Sequence, residues 1–198
     1  TVEDACLFIK KNSSQNDYLI RLFGDEQKIK NELSKFSGIK NLEIIHTNSI
    51  VSDDETPLTA LKNSKNTSMW NCINSQLNND TDISLSAGNT GVLLVISRMI
   101  LKTMTEVNKP ALAGLWPNQN GMNVVLDLGA NIECNEENLI DFAELGAALY
   151  KSIFPKDKPQ VSLLNIGSEE IKGTETLKKA YKKLNTLSND NNLIFKGY

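Results

Sequence analysis

Short apolar runs with the two-residue period of a strand alternate with stretches of helical spacing along all 198 residues. That alternation restricts the chain to βα units around a parallel sheet. Residues 18–23, 42–46, 83–85, 123–128, 161–166 and 193–195 read as strands, with 111–115 as a further candidate. Helices fit 26–36, 68–77, 90–103, 136–153 and 174–184, and the start of the chain, Val2 to Lys11, already has helical spacing. The clearest helix is 136–153, which sets Leu139, Phe142, Ala143, Gly146, Leu149 and Tyr150 on one stripe and acids on the other. Val92 to Ile100 is apolar nearly all round, so it belongs in the core.

Three strand ends run into small, polar, glycine-containing turns. The first is Ser86-Ala87-Gly88-Asn89-Thr90-Gly91, leading straight into an apolar helix. Small residues there let backbone N–H groups close on a phosphate or oxyanion, and the helix dipole adds to the attraction. The others are Leu126-Asp127-Leu128-Gly129-Ala130-Asn131, and Leu164-Asn165-Ile166-Gly167 followed by Glu169, Lys172 and Gly173. Ligands of open α/β sheets sit outside the carboxyl ends of parallel strands, so the three junctions are expected to converge on one cleft.

Each chemical residue has a structural reading beside the functional one. Lys172 either neutralises a phosphate or a developing oxyanion, or is a solvent-exposed lysine before a helix. Asn131 either donates its amide to an acyl carbonyl or phosphate, or caps a turn. Asp127, costly inside an apolar strand unless hydrogen-bonded, is catalytic or ties down a loop. Asn89 and Thr90 cap a helix in a way compatible with anion binding. Lys62, Lys65, Thr67 and Ser68 offer charge and hydroxyls to a phosphate, or Ser68 is only an N-cap. Gly24-Asp25 reads as an ordinary capped helix start, and Trp70 and Trp116 as core or interface.

Composition removes other classes. Lys and Arg total 21 against 24 Asp and Glu, a net charge of −3 that gives no nucleic-acid footprint. Cys6, Cys72 and Cys134 are widely spaced, without CxxC or clustered His, against a disulfide framework or zinc site and in keeping with a reducing cytoplasm. His46 has no Ser or Cys elbow to activate, and no strand end carries GxGxxG. The apolar stretch from Gly91 to Leu101 is too short to span a bilayer. The expectation is one α/β domain over 1–198, an internal part of a longer chain.

Taken in order, these stretches resemble the PlsX family of phosphate acyltransferases. The matching text is Asp53-Asp54-Glu55-Thr56-Pro57, Lys65-Asn66-Thr67-Ser68-Met69, Ser86 to Gly91, Lys109-Pro110-Ala111-Leu112-Ala113, Leu126 to Asn131, and Leu164 to Gly167 with Glu169, Lys172 and Gly173. The family's opening strand with its Asp-Ala-Met-Gly-Gly-Asp loop and its C-terminal part have no counterpart, and Asn66-Thr67 stands where Asp-Ser is usual.

The resemblance implies an isocitrate/isopropylmalate dehydrogenase-like, phosphotransacetylase-related α/β/α sandwich. It implies a cytoplasmic homodimer that transfers a long-chain acyl group reversibly from acyl carrier protein to inorganic phosphate. No cofactor or metal is implied, and peripheral membrane association would use a segment beyond Tyr198. Lys172, Asn131 and Asn89 would be catalytic. Ser86, Gly88, Thr90, Gly91, Asp127, Asn165, Gly167, Glu169, Lys65 and Ser68 would bind phosphate or substrate. The alternatives are a short-chain phosphate acyltransferase using CoA and an inactive truncated scaffold.

Overall fold

The computed structural model describes residues 1–198 except 13, 15, 16, 120, 168–171 and 188–192. Glu169 and the polar turn expected at 188–192 lie outside the described residues. The chain forms two compact units, Thr1–Lys102 and Thr103–Tyr198.

The first unit opens with α1 (Val2–Lys11), whose Glu3 and Asp4 lie in the first turn and Lys10 and Lys11 in the last, each complementing the helix dipole. A βαβ unit follows, made of β1 (Ile20–Gly24), α2 (Glu26–Leu33) and β2 (Leu42–His46). The strands are parallel and in register from Ile20 opposite Leu42 to Gly24 opposite His46. Asp25 caps α2 by accepting from the Lys28 N–H at 3.0 Å, the ordinary helix start expected there.

Three helices complete the unit: α3 (Pro57–Asn63), α4 (Ser68–Leu77) and α5 (Thr90–Leu101). Val92, Ile96 and Ile100 recur every fourth residue of α5 and are buried with Ala60 of α3 and with Met69 and Ile73 of α4. Each of these Val, Ile and Met side chains contributes about 1.5–3 kcal/mol by leaving water. The helix that is apolar nearly all round is therefore the buried one, and Trp70 packs half-buried against the same cluster.

The second unit contains β3 (Gly114–Asn118), β4 (Gly121–Val125), α6 (Glu136–Ile153), β5 (Gln160–Val161), α7 (Glu175–Leu187) and β6 (Ile194–Phe195). Asn135 and Asn138 cap α6 reciprocally, each side chain accepting from the other's backbone N–H at 2.9 and 3.2 Å. Its core joins Ala143 of α6 and Ala180 and Leu184 of α7 to Leu163, with Tyr181, Phe195 and Tyr198 packed alongside.

The parallel pairing expected from the sequence holds for β1–β2 and β5–β6 and fails for β3–β4, which is an antiparallel hairpin. Two residues separate these strands, and a parallel crossover needs a dozen or more. Residues 83–85 have the apolar run of a strand but pair with none among the described residues, and Ile83 and Leu85 are 75% and 83% exposed. The strand expected over 161–166 shrinks to Gln160–Val161, matching the two residues of β6. Helix α3 was not anticipated. The cap of α4 is Thr67, whose hydroxyl accepts from the Trp70 N–H at 3.3 Å, and Ser68 is the first helical residue instead.

Candidate functional site

In the first unit the 86–91 turn leads into the twelve-residue helix α5. Ser86, Gly88, Thr90 and Gly91 are exposed and Asn89 is half-buried. The Asn89 side chain works in two directions. Its Oδ1 accepts from the Val92 N–H at 3.0 Å, and its Nδ2 donates to the carbonyls of Asp53 at 2.9 Å and Glu55 at 3.0 Å. Asn89 therefore caps α5 and fastens the loop ahead of α3 to that cap.

Helix geometry leaves the N–H groups of Thr90 and Gly91 pointing out of the end, where the dipole is positive. The Ser86 hydroxyl accepts from the Gly88 N–H at 3.2 Å and shapes the turn. Space is tight here. A Cβ on Gly91 would stand 3.3 Å from Pro57 Cγ, and one on Gly88 would stand 3.2 Å from Met69 Cε. The two glycines allow α3 and α4 to close behind an exposed, donor-rich surface suited to an oxyanion.

Ser68 lines the same groove as Ser86 and Gly88. Its loop is held in place, since the Ser68 N–H donates to the Ser49 carbonyl at 2.9 Å and the Thr67 hydroxyl donates to the Ser64 carbonyl at 2.6 Å. Lys65 is exposed on that loop.

In the second unit Asp127 organises its own loop. Oδ1 accepts from the N–H groups of Leu112 at 2.9 Å and Ala130 at 3.2 Å. Oδ2 accepts from the Asn131 N–H and from Asn131 Nδ2, both at 2.8 Å. Burial pushes the carboxyl up, but these bonds outweigh it and hold Asp127 below the usual carboxylate range. Asn131 Nδ2 also donates to the Pro110 carbonyl at 2.9 Å. Both amide hydrogens of Asn131 are thus engaged within the loop, a geometry that gives it a positioning role for the neighbouring backbone.

Asn165 plays a similar part further on. Its Oδ1 accepts from the Ile166 N–H at 2.9 Å and its Nδ2 donates to the Lys172 carbonyl at 3.3 Å. Gly173 sits at φ +94°, and a Cβ there would come 2.7 Å from Asn165 Oδ1. The amide therefore packs flat against a residue that must be glycine, which sets where the half-buried Lys172 leaves the chain. Gly167 is half-buried in the same stretch.

Sequence reasoning located the turns but missed two sets of partners. The carbonyls of Asp53 and Glu55 hold Asn89, and Leu112 and Pro110 hold Asp127 and Asn131. Asp53-Asp54-Glu55-Thr56-Pro57, already among the stretches that carry the resemblance, also has the signal of a helix start with Pro at its first position. His46 serves locally: Nδ1 accepts from the Glu26 N–H at 3.1 Å and Nε2 lies 2.7 Å from Asn48 Oδ1. Cys6, Cys72 and Cys134 are free thiols. Among the described residues no helix is long and apolar enough to cross a membrane.

The family model described as "Fatty acid synthesis protein" matches residues 2–198. A phosphate acyltransferase of Pelagibacter ubique (strain HTCC1062) is 50% identical over 185 residues, which are 93% of this chain and 55% of that protein. One of Paraburkholderia phytofirmans (strain DSM 17436 / LMG 22146 / PsJN) is 38% identical over 205 residues, covering 100% of this chain and 55% of the relative. The chain thus spans about half the length of the curated relatives it matches. Among solved structures, EutD phosphotransacetylase from Staphylococcus aureus superposes with a TM-score of 0.69 at 18% identity, over 100% of this chain and 66% of that one. The fold is the phosphotransacetylase-related α/β fold expected from the sequence.

Proposed function

Because the chain belongs to the fatty acid synthesis protein family, we propose that the complete protein transfers a long-chain fatty acyl group reversibly from acyl carrier protein to inorganic phosphate. The observation that carries the phosphate half of this reading is the exposed 86–91 turn at the N-terminus of α5, braced from behind by Asn89.

Inorganic phosphate sits on the Thr90 and Gly91 N–H groups, with Ser86 and Ser68 as flanking hydroxyls and Lys65 as a nearby source of positive charge. A phosphate oxygen attacks the thioester carbonyl carbon. The C–O bond forms, the carbonyl becomes a tetrahedral oxyanion, and its collapse breaks the C–S bond to give acyl phosphate and the carrier thiolate, which takes a proton from water. No acyl-enzyme is needed, so alignment and charge stabilisation carry the rate.

The family resemblance, rather than any distance between the two units, supports Lys172 as the cation that meets negative charge developing during transfer. Asn131 and Asp127 hold the 127–131 loop in its shape, and Asn165 does the same for the Lys172 loop. The assay is acyl-phosphate formation from palmitoyl-carrier protein and phosphate by the full-length protein, beside Lys172→Ala. Turnover that collapses in the folded mutant is expected. Turnover with acetyl-CoA or butyryl-CoA alone would replace the long-chain reading, and phosphate binding without any turnover would replace the enzyme by a scaffold. The same resemblance supports a cytoplasmic homodimer that touches the membrane through a segment outside these residues.

A further inference from the structure

We propose that the outer face of α7 is the docking surface for an acidic protein, which in the reading above, on which this inference rests, is the acyl carrier. The face carries Lys179, Lys182 and Lys183, all exposed. A helix turns about 100° per residue, so the three lie on one stripe about 100° wide with Lys179 at its centre. Leu177, Ala180, Tyr181 and Leu184 lie on the opposite side and pack into the core of the second unit.

The charge of this stripe is not balanced within the described residues. Glu175 is the one acid of α7, and it pairs with Lys178 at 3.2 Å. Among the described residues no ion pair reaches Lys179, Lys182 or Lys183. Helix α2 is built differently: Lys30 pairs with Glu26, and Glu32 pairs with Lys35 just past its end. On α7 the neighbours three and four residues apart are like charges, Lys179 with Lys182 and Lys183 and Lys178 with Lys182, an arrangement that destabilises an isolated helix. The helix dipole does not account for them, since the last turn holds no basic residue. An anionic partner offsets the repulsion that the helix itself leaves in place.

Charge complementarity selects an acidic occupant, and position ties it to the candidate site. Only Gly173 and Thr174 stand between Lys172 and α7. Thr174 starts the helix, its hydroxyl accepting from the Leu177 N–H at 3.3 Å and its carbonyl from the Lys178 N–H at 3.1 Å. Lys183 lies about 12 Å along the axis from Glu175, so a protein resting on the stripe sits within one helix length of the Lys172 loop. An anionic membrane would meet the same charges. An interfacial helix, however, also enters lipid with a free apolar stripe, and the apolar side of α7 is covered by the core.

The test is titration of acyl carrier protein into the full-length protein at low ionic strength, beside the triple variant Lys179→Glu, Lys182→Glu, Lys183→Glu. Reversal is expected to weaken carrier binding by about tenfold or more, and added salt to erode the wild-type affinity. Lys11→Glu, Lys28→Glu and Lys40→Glu together make the same change in net charge on exposed residues of the first unit, and are expected to leave binding within about twofold. Where the glutamate variant of α7 does not fold, glutamine at the same three positions is read instead, with loss in the same direction. Equal binding by wild type and the α7 variant, equal loss in both triple variants, or no carrier binding by the wild type would overturn the proposal. So would lost binding to phosphatidylglycerol vesicles with carrier binding intact, which would make a membrane the occupant. Binding is read without turnover, so a carrier held through α7 with no acyl phosphate formed would sink the acyl-transfer reading and leave the docking surface standing.

Discussion

Asp127 accepts four hydrogen bonds from three residues, and the direction of its pKa fixes what acid should do. Its folded value lies below the ordinary carboxylate value of about 3.9, so its stabilisation is fully present above that pH and is lost as pH falls through the depressed folded value. Asp127→Asn points an NH2 at donors it should accept from. It is expected to cost about 1–3 kcal/mol in urea unfolding near neutral pH and to flatten the acid limb of the stability curve. An unchanged acid limb would contradict the assignment. Asn89 separates cap from brace. Asn89→Ala should lose about 1 kcal/mol through the cap. Asn89→Asp keeps the acceptor for Val92 yet loses both bonds to the 53–55 loop and adds negative charge, so phosphate titration should show the weaker binding in the Asp variant. The sequence made Asp127 conspicuous because a carboxylate in an apolar run needs partners. It could not show that one partner, Leu112, comes from a segment fifteen residues away.

At the scale of elements, the readable pieces were those whose own periodicity decides their face. Helix α6 and strand β2 have the predicted limits, and α5 is buried as its all-round apolar pattern requires. Helix α3 escaped because Leu58 and Leu61 face solvent and only Ala60 is buried, so it has no apolar stripe to detect. Residues 83–85 misled in the opposite sense: their pattern is that of a strand, but pairing depends on a neighbour that the run itself cannot reveal. Two substitutions test the packing argument. Ile96→Ala in the centre of α5 should destabilise the first unit by about 2–5 kcal/mol in chemical denaturation. Gly173→Ala meets both a positive φ and the Asn165 carboxamide, and should cost about 1–3 kcal/mol while lowering acyl transfer by displacing Lys172. Adding Asn165→Gly should relieve the clash and leave the backbone strain. Full recovery in the double variant would contradict a role for φ.

At the scale of the whole molecule, the family is fixed by a match over residues 2–198, while the chain spans about half of its curated relatives. A net charge of −3 does not itself attract an acidic carrier protein, so the docking proposed above would require a local cationic surface. The apparent KM for carrier protein is accordingly expected to rise with salt, and a salt-independent KM would contradict electrostatic docking. The central claim, that the 86–91 turn is where phosphate sits, is tested most directly by titrating inorganic phosphate while following backbone amides by NMR. The account predicts saturable shifts of the Thr90 and Gly91 amide signals, weakened in Asn89→Asp. Saturable binding that leaves Thr90 and Gly91 unmoved while shifting amides elsewhere would contradict it.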